Sequence, residues 1–301
     1  MSTESAVLRT VGLSKTYTDF WGRPRVRALE PLNLEVQRGQ VYGLLGPNGS
    51  GKTTTIKLLL GLLRPTAGNA FVFGCDPGDR NAKHRLGYLP EETYLYKFLN
   101  AEETLGFYGR LFGLSKSVIA ERSEDLIQRV GLQHARKRRL GEYSKGMARR
   151  LGLAQALINN PDLVILDEPT SGLDPIGTAE VKDLIISLKA AGKTVLLCSH
   201  LLADVEDVCD RIAILYHGKL REEGRVDELL VRSTQSILTL NNPDEGLLAA
   251  LKEVAGDALL RVDHPRERLE QHFRNIVAAA DVSDGKETGQ SADSQAVESR
   301  S

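Results

Sequence analysis

Gly46-Pro47-Asn48-Gly49-Ser50-Gly51-Lys52-Thr53 is the stretch on which the reading of the whole chain turns. A short apolar run, Val41–Leu45, leads into it. The residues after it place Ile56, Leu59, Leu60 and Leu63 at i, i+3, i+4 and i+7, the spacing of one helix face. Strand, glycine loop and helix in that order match the phosphate-loop pattern G-x-x-x-x-G-K-[ST]. The chemistry needs this composition. Glycines let successive backbone N–H groups turn inward around phosphate oxygens, where a Cβ would intrude. The helix starting near Lys52 aims its positive end at the same phosphates. Lys52 supplies a charge to the β- and γ-phosphates, and the Thr53 hydroxyl is a ligand for Mg²⁺. Residues Gly46, Pro47, Asn48, Gly49, Ser50, Gly51, Lys52, Thr53 and the following Thr54 are thus the expected binding set for Mg-ATP. Pro65 is expected to end the helix.

Working outward, short β-rich runs alternate with helical patterns, as in a mostly parallel sheet with helices packed on it. Leu163–Leu166 is apolar at each position, which a strand covered on both faces requires. Thr194–Cys198 is a second such strand, preceded by a helix from about Ile176 to Ala191 that Gly192 closes. Ile212–Tyr216, His217-Gly218 and Lys219–Glu222 read as a hairpin, and Trp21-Gly22-Arg23-Pro24 as the turn of another near the N-terminus. Residues 92–158 carry several helical patterns and no convincing strand, so they read as an inserted helical subdomain. After Arg225 a smaller pattern follows, with strands near Ile237–Leu240 and Ala258–Val262 and helices near Glu245–Val254 and Arg266–Val277. Residues 281–301, rich in Ser, Asp, Glu, Gly and Gln, have the composition of a disordered tail.

The strand ends carry the other reactive groups. Leu163–Leu166 runs straight into Asp167-Glu168-Pro169. Carboxylates at the carboxyl end of a parallel strand sit where such sheets bind ligands. Asp167 is placed to hold Mg²⁺ through water, and Glu168 to orient or deprotonate the attacking water, help worth ~10²–10⁴ in rate. An acidic turn that merely caps a strand is the plainer alternative; downstream of a phosphate loop the catalytic reading is preferred. Ser171-Gly172-Leu173-Asp174 follows at once, and Ser199-His200 puts an imidazole at the end of another strand, where a donor can reach the γ-phosphate. Tyr143-Ser144-Lys145-Gly146-Met147 opens a helix over Ala148–Ile158, with Ser144 a natural N-cap beside a further anion site.

Bulk properties narrow the function classes. Lys and Arg number 39 against 40 Asp and Glu, which argues against a surface that is basic throughout and so against a general nucleic-acid binder. Cys75, Cys198 and Cys209 show no C-x-x-C spacing, so buried thiols in a reducing compartment are preferred over a disulfide frame or zinc site. The first twenty residues lack the apolar core of a signal peptide. Apolar runs such as Leu58–Leu63 fall far short of the roughly 20 residues of a bilayer span. The expectation is a soluble chain that serves a membrane only through another chain.

In order and spacing these elements resemble the ATP-binding subunit of ABC transporters, over about residues 7–225. Walker A corresponds to Gly46–Thr53, the signature motif to Tyr143–Met147, Walker B to Leu163–Asp167 with catalytic Glu168, the D-loop to Ser171–Asp174 and the switch histidine to His200. Tyr17 stands where the family places an aromatic that stacks on adenine. The resemblance implies an α/β fold with a P-loop NTPase (RecA-like) core and mostly parallel sheet. It also implies an N-terminal antiparallel β region, to which the residue pattern adds the helical subdomain 92–158 and a small α/β extension over 226–280. It further implies that two subunits, identical or homologous, meet head to tail. Each ATP would then lie between the phosphate loop of one and Ser144 with Gly146 of the other, Asp174 joining the nucleotide set. The implied partner is an integral membrane permease encoded separately, with the chain on the inner face of the cell membrane and no nucleic acid expected.

Two departures stand out against the family pattern. Tyr143, Lys145 and Met147 replace the Leu, first Gly and Gln of Leu-Ser-Gly-Gly-Gln. Lys145 either adds a positive charge near the phosphates or is simply solvated. In Gly87-Tyr88-Leu89-Pro90-Glu91, Glu91 fills the position where Gln is common; its carboxylate either ligates Mg²⁺ or faces the membrane partner. Together with Leu269-Glu270-Gln271-His272-Phe273, these features resemble the type-2 exporter branch. A soluble ATPase acting on nucleic acid or ribosomes is the alternative, and a neighbouring gene with about six membrane spans would decide against it. The run Arg136-Lys137-Arg138-Arg139 reads as a solvated charged loop before a lipid or permease contact.

Overall fold

The computed structural model describes residues 6–21, 23–230 and 244–255. Two sheets carry the architecture. Along the chain come β1 (Ala6–Thr18), β2 (Pro24–Gln37), β3 (Val41–Leu45), β4 (Ala67–Val72) and β5 (Leu86–Leu89). They are followed by β6 (Leu163–Asp167), β7 (Thr194–Ser199), β8 (Arg211–Tyr216) and β9 (Lys219–Arg225). β1, β2 and β4 form an antiparallel sheet ordered β2-β1-β4; the other strands form a second sheet ordered β5-β6-β7-β3-β8-β9. That sheet is parallel from β5 to β8, and β9 closes its edge antiparallel to β8. The hairpin turn is His217-Gly218, both with positive φ (49° and 72°), as a two-residue hairpin of the primed type needs.

Every residue of β3, β6 and β7 is buried. The alternation of the strand explains how apolar runs satisfy two faces at once. On one face Val41, Leu45, Val164, Leu166, Val195 and Leu197 join a core built with the helices. On the other, Tyr42, Leu44, Leu163, Ile165, Leu196 and Cys198 pack towards the antiparallel sheet, with Leu8, Leu13, Leu29 and Val36. Truncating one such buried leucine to alanine costs ~2–5 kcal/mol, so both layers matter to the strand ends that lie between them.

The helices are α1 (Lys52–Leu59), α2 (Arg80–His84), α3 (Ala101–Leu111), α4 (Lys116–Arg129), α5 (Lys145–Leu157), α6 (Pro175–Ala190), α7 (Leu202–Val208) and α8 (Val226–Leu230). Residues 92–158 hold α3, α4 and α5 with two short 3-10 turns and no strand. α1 ends earlier than its sequence pattern implies. Gly61, at φ 66°, reverses the chain, and Leu62 N–H bonds the Lys57 carbonyl at 2.9 Å, so the helix closes well before Pro65 and Leu63 packs from outside it. The basic run leaves Lys137, Arg138 and Arg139 exposed, as a solvated loop would, while Arg136 is half-buried. Arg136 bridges Glu102 of α3 and Glu124 of α4 (2.5 and 2.6 Å), Lys137 pairs with Glu102 (2.5 Å), and Arg138 lies 3.6 Å from Glu142.

The chain divides into two compact units, residues 1–230 and 231–301. α8, which the sequence pattern assigns to the C-terminal extension, belongs to the first unit: Val226 is buried and its N–H bonds the Asp210 carbonyl at 3.1 Å. In the second unit the helix expected near Glu245–Val254 is α9 (Glu245–Ala255). The strands expected near Ile237–Leu240 and Ala258–Val262, the helix near Arg266–Val277 and the tail 281–301 lie outside the described residues. Among the described residues no helix is long and apolar enough to cross a membrane.

Candidate functional site

The loop between β3 and α1 is shaped by backbone that only glycine can supply. Gly46 has φ 152°, and a Cβ there would stand 2.2 Å from the Leu215 carbonyl oxygen and 2.5 Å from Ser50 Oγ. Gly51, the N-cap of α1, has φ 107°, with the Ala28 carbonyl oxygen of β2 2.8 Å from where its Cβ would be. The antiparallel sheet therefore backs the loop. Tyr17 lies on β1 opposite Val26, a short step along β2 from Ala28; its ring is exposed, with Lys15 Nζ 5.5 Å from the ring centre.

Lys52, the first residue of α1, is buried, and its ammonium turns back into the loop. Nζ donates to the Gly46 carbonyl at 2.6 Å and to that of Pro47 at 3.3 Å, and stands 3.8 Å from Glu168 Oε1. Thr53 and Thr54 are half-buried in the same first turn, and Pro47, Asn48 and Gly49 form the exposed crest of the loop. Ser50 Oγ is buried without a hydrogen-bond partner.

β6 delivers Asp167 and Glu168 beside that ammonium. Asp167 is buried, and its Oδ1 has no partner. Burial, then the charges of Glu91 and Glu168, push its carboxyl up to about 6, against the opposing pull of Lys52 and Arg149. A buried carboxylate oxygen without a protein partner fits a cation held partly by water and phosphate. The donor chemistry at Asp167 thus fits the expected metal. Glu91 has an exposed side chain whose charge is felt at Asp167.

Glu168 sits at φ 52°, in the left-handed region, where a non-glycine residue costs of order 1–3 kcal/mol. Its carboxylate is shared. Oε2 is 2.8 Å from His200 Nδ1, while Oε1 faces Lys52. With Nδ1–H donating to the carboxylate, His200 Nε2 is left free to meet a second group. β3, β6 and β7 are neighbours, so their three carboxyl ends bring Lys52, Glu168 and His200 together. This cluster can cradle a phosphate and activate a water beside it.

Ser144 and Gly146 are placed differently. Ser144 is exposed and caps α5, its Oγ accepting from Met147 N–H at 3.2 Å. A Cβ on Gly146 would stand 3.3 Å from Leu173, and one on Gly172 would stand 3.1 Å from the Lys145 side chain. The Tyr143–Met147 motif therefore packs on Ser171–Asp174, a contact the sequence does not announce. Asp174 spends its Oδ1 on the Gly177 N–H at 2.8 Å, capping α6. Thr170 Oγ1 donates to Asp204 of α7 at 2.6 Å, and Asp204 also meets Lys182 of α6 at 3.1 Å, so the turn after Glu168 is pinned to the helix after His200.

Arg149 is the residue that sequence reasoning missed. It is buried on α5, and its guanidinium bonds the carbonyls of Pro90, Glu91 (2.8 Å), Asp167, Glu168 (2.7 Å) and Pro169 (3.3 Å), and Thr93 Oγ1 (3.3 Å). Burial draws its pKa down against the raising influence of Asp167 and Glu91. A signal was present: a charged residue falls on the helix face that also carries Gly152, Leu153 and Ala156.

A family model described as ABC transporter matches residues 29–171. An uncharacterized ABC transporter ATP-binding protein of Synechocystis is 44% identical over 283 residues, covering 92% of this chain and 77% of that one. The chain belongs to the ATP-binding proteins of ABC transporters. Its cassette is likewise similar to the bacitracin transport ATP-binding protein BcrA of Bacillus licheniformis, 39% identical over 232 residues, 76% of this chain and 73% of the other. A solved ATP-binding subunit of an ABC transporter superposes with a TM-score of 0.67 at 32% identity, over 74% of this chain and 91% of that one. As a member of that family, the cassette binds and hydrolyses ATP.

Proposed function

We propose that this cassette is the energising subunit of an exporter whose permease is a separate membrane-spanning chain. The ATP-binding part of the chain is residues 7–225, with 92–158 as its helical subdomain. Each Mg-ATP lies between the phosphate loop of one copy and Ser144 with Gly146 of a second, identical or homologous copy. One observation carries the shared site: Lys52, Glu168 and His200 converge at three strand ends, while Ser144 stands exposed at the start of α5 with its Oγ capping its own helix. The similarity to BcrA, a transport ATP-binding protein, supports a role in transport.

In this reading Gly46–Lys52 bind the β- and γ-phosphates through backbone N–H groups and the Lys52 ammonium. Tyr17 stacks on the adenine, Thr54 borders the α-phosphate, and Asp174 positions the far side of the nucleotide. Thr53 and Asp167 hold Mg²⁺, with Glu91 close enough to modulate it. When bound, that ion neutralises charge on the phosphates being parted. Glu168 takes the proton of the attacking water, and His200 holds the Glu168 carboxylate by Nδ1 and offers Nε2 to the γ-phosphate. Lys145 lies across Gly172, so its ammonium borders the shared face. The cassette sits at the inner membrane face through the permease.

Glu168→Gln tests the shared site. The variant should bind ATP, hydrolyse it slowly and accumulate as an ATP-dependent dimer on gel filtration. Monomers alone in saturating Mg-ATP would contradict the sandwich. Affinity capture from solubilised membranes should bring down a multi-span chain, whereas capture of ribosomes without one would overturn the transport role.

A further inference from the structure

Arg149 presents a buried cation whose hydrogen-bond partners are backbone carbonyls and a hydroxyl. Buried arginines ordinarily pair with carboxylates, so this arrangement calls for an explanation. The acceptors fall in two groups. Nη1 serves Pro90, Glu91 and Thr93, on the loop after β5; Nη2 and Nε serve Asp167, Glu168 and Pro169, the turn after β6. Carbonyl partners fix the main chain itself, not a side chain that could swing away. The planar fork of an arginine demands that both loops keep one geometry relative to each other.

The middle acceptor is Glu168, whose φ of 52° persists only if its surroundings over-determine it. Three successive carbonyls held on one guanidinium do that. The same helix, α5, starts at Ser144, the exposed residue proposed to meet a second subunit's ATP. Arg149 follows Ser144 by little more than one helical turn, so a displacement of the helix start reaches the Glu168 turn through a rigid element.

We propose that Arg149 is a positioning residue that couples the placement of α5 to that of the Glu168 carboxylate, so that hydrolysis proceeds only while α5 is docked on both loops. The inference rests on the reading of Glu168 as the group that activates water. It makes the loop bearing Glu91 part of the same device, held by its main chain.

The experiment compares full-length Arg149→Lys, Glu168→Gln and the double variant in single-turnover hydrolysis at saturating Mg-ATP, with ATP affinity measured separately by a fluorescent nucleotide analogue. Lysine keeps the charge and loses the fork. Arg149→Lys should fold, bind ATP within about twofold of the parent, and hydrolyse it about 10- to 100-fold more slowly, the size of loss expected from a displaced catalytic group. Because it acts through Glu168, it should slow Glu168→Gln by less than about threefold. Fully multiplied losses in the double variant, or an Arg149→Lys that turns over at the parent rate beside a slow Glu168→Gln, would overturn the inference alone. An Arg149→Lys chain that fails to fold, or loses ATP affinity in step with turnover, assigns the residue to the fold and also overturns it. A Glu168→Gln chain as fast as the parent removes the reading of Glu168, and the inference with it.

Discussion

Glu168 Oε2 and His200 Nδ1 are 2.8 Å apart, joining the ends of β6 and β7 through a carboxylate that is buried and an imidazole that is half exposed. The pairing sets the ring so that one nitrogen faces the base and the other faces outward. His200→Ala removes both contacts and should lower single-turnover hydrolysis by about 10²-fold, a typical share for a positioned acid–base group. Affinity for ATP should change little. A variant that hydrolyses at the parent rate would detach the histidine from the chemistry.

Lys52 donates to its own loop and faces Glu168, so its ammonium is already oriented where phosphate oxygens arrive. Lys52→Ala should weaken ATP binding by roughly 10- to 100-fold, equivalent to one charge-assisted contact of about 1.4–3 kcal/mol. Titration with a fluorescent nucleotide reads this directly, and unchanged affinity together with unchanged hydrolysis would remove the proposed site.

The carboxyl of Asp167 titrates at about 6 in the fold against 3.8 unfolded. Between those values the folded chain binds the proton more tightly, so its contribution to stability falls as pH rises through the window from about 4 to about 6. Near neutral pH the ionised group is a burden of up to about 3 kcal/mol when no cation is bound. Nucleotide-free Asp167→Asn should then resist urea better than the parent at pH 7.5. The gain should fade below about pH 4, where both side chains are neutral. A parent that is the more stable chain at pH 7.5 would contradict the assignment of strain to this carboxylate.

Glu91 adds negative charge at Asp167. Glu91→Gln should lower the Asp167 pKa, moving the acid limb of the pH–rate profile to lower pH by up to about one unit. If Glu91 also touches the ion, half-saturating Mg²⁺ should rise in the same variant. An unmoved acid limb with unmoved Mg²⁺ dependence would leave Glu91 to the membrane partner.

Much of this was legible because local rules dominate where the backbone itself is the ligand. The glycines of 46–51, the unbroken apolar strand before Asp167 and the Ser144 cap each follow from a steric or hydrogen-bonding demand visible within a few residues. Tertiary choices escaped. The periodicity that ran α1 on to Leu63 carries no record of Gly61, whose left-handed turn beside Pro77 stops the helix first. The contact of Gly146 with Leu173 joins motifs that are separated in sequence by a whole strand. Arg149 drew no reading because nothing in a single chain names the carbonyls that surround it. The exposed basic run at 136–139 gave no hint of the anchor at Arg136, because the acidic partners lie on two other helices.

The sheet order has a consequence for biosynthesis. β3, the strand that carries the phosphate loop, is flanked by β7 and β8, both from the far end of the cassette. On the ribosome β3 emerges early and waits, its Val41, Leu44 and Leu45 uncovered, until Thr194 and beyond are made. At roughly 5–20 residues per second that interval is on the order of ten seconds. Nascent chains ending before β7 hold an unpaired, sticky strand, so chaperone occupancy should peak over that window and drop once β8 is out.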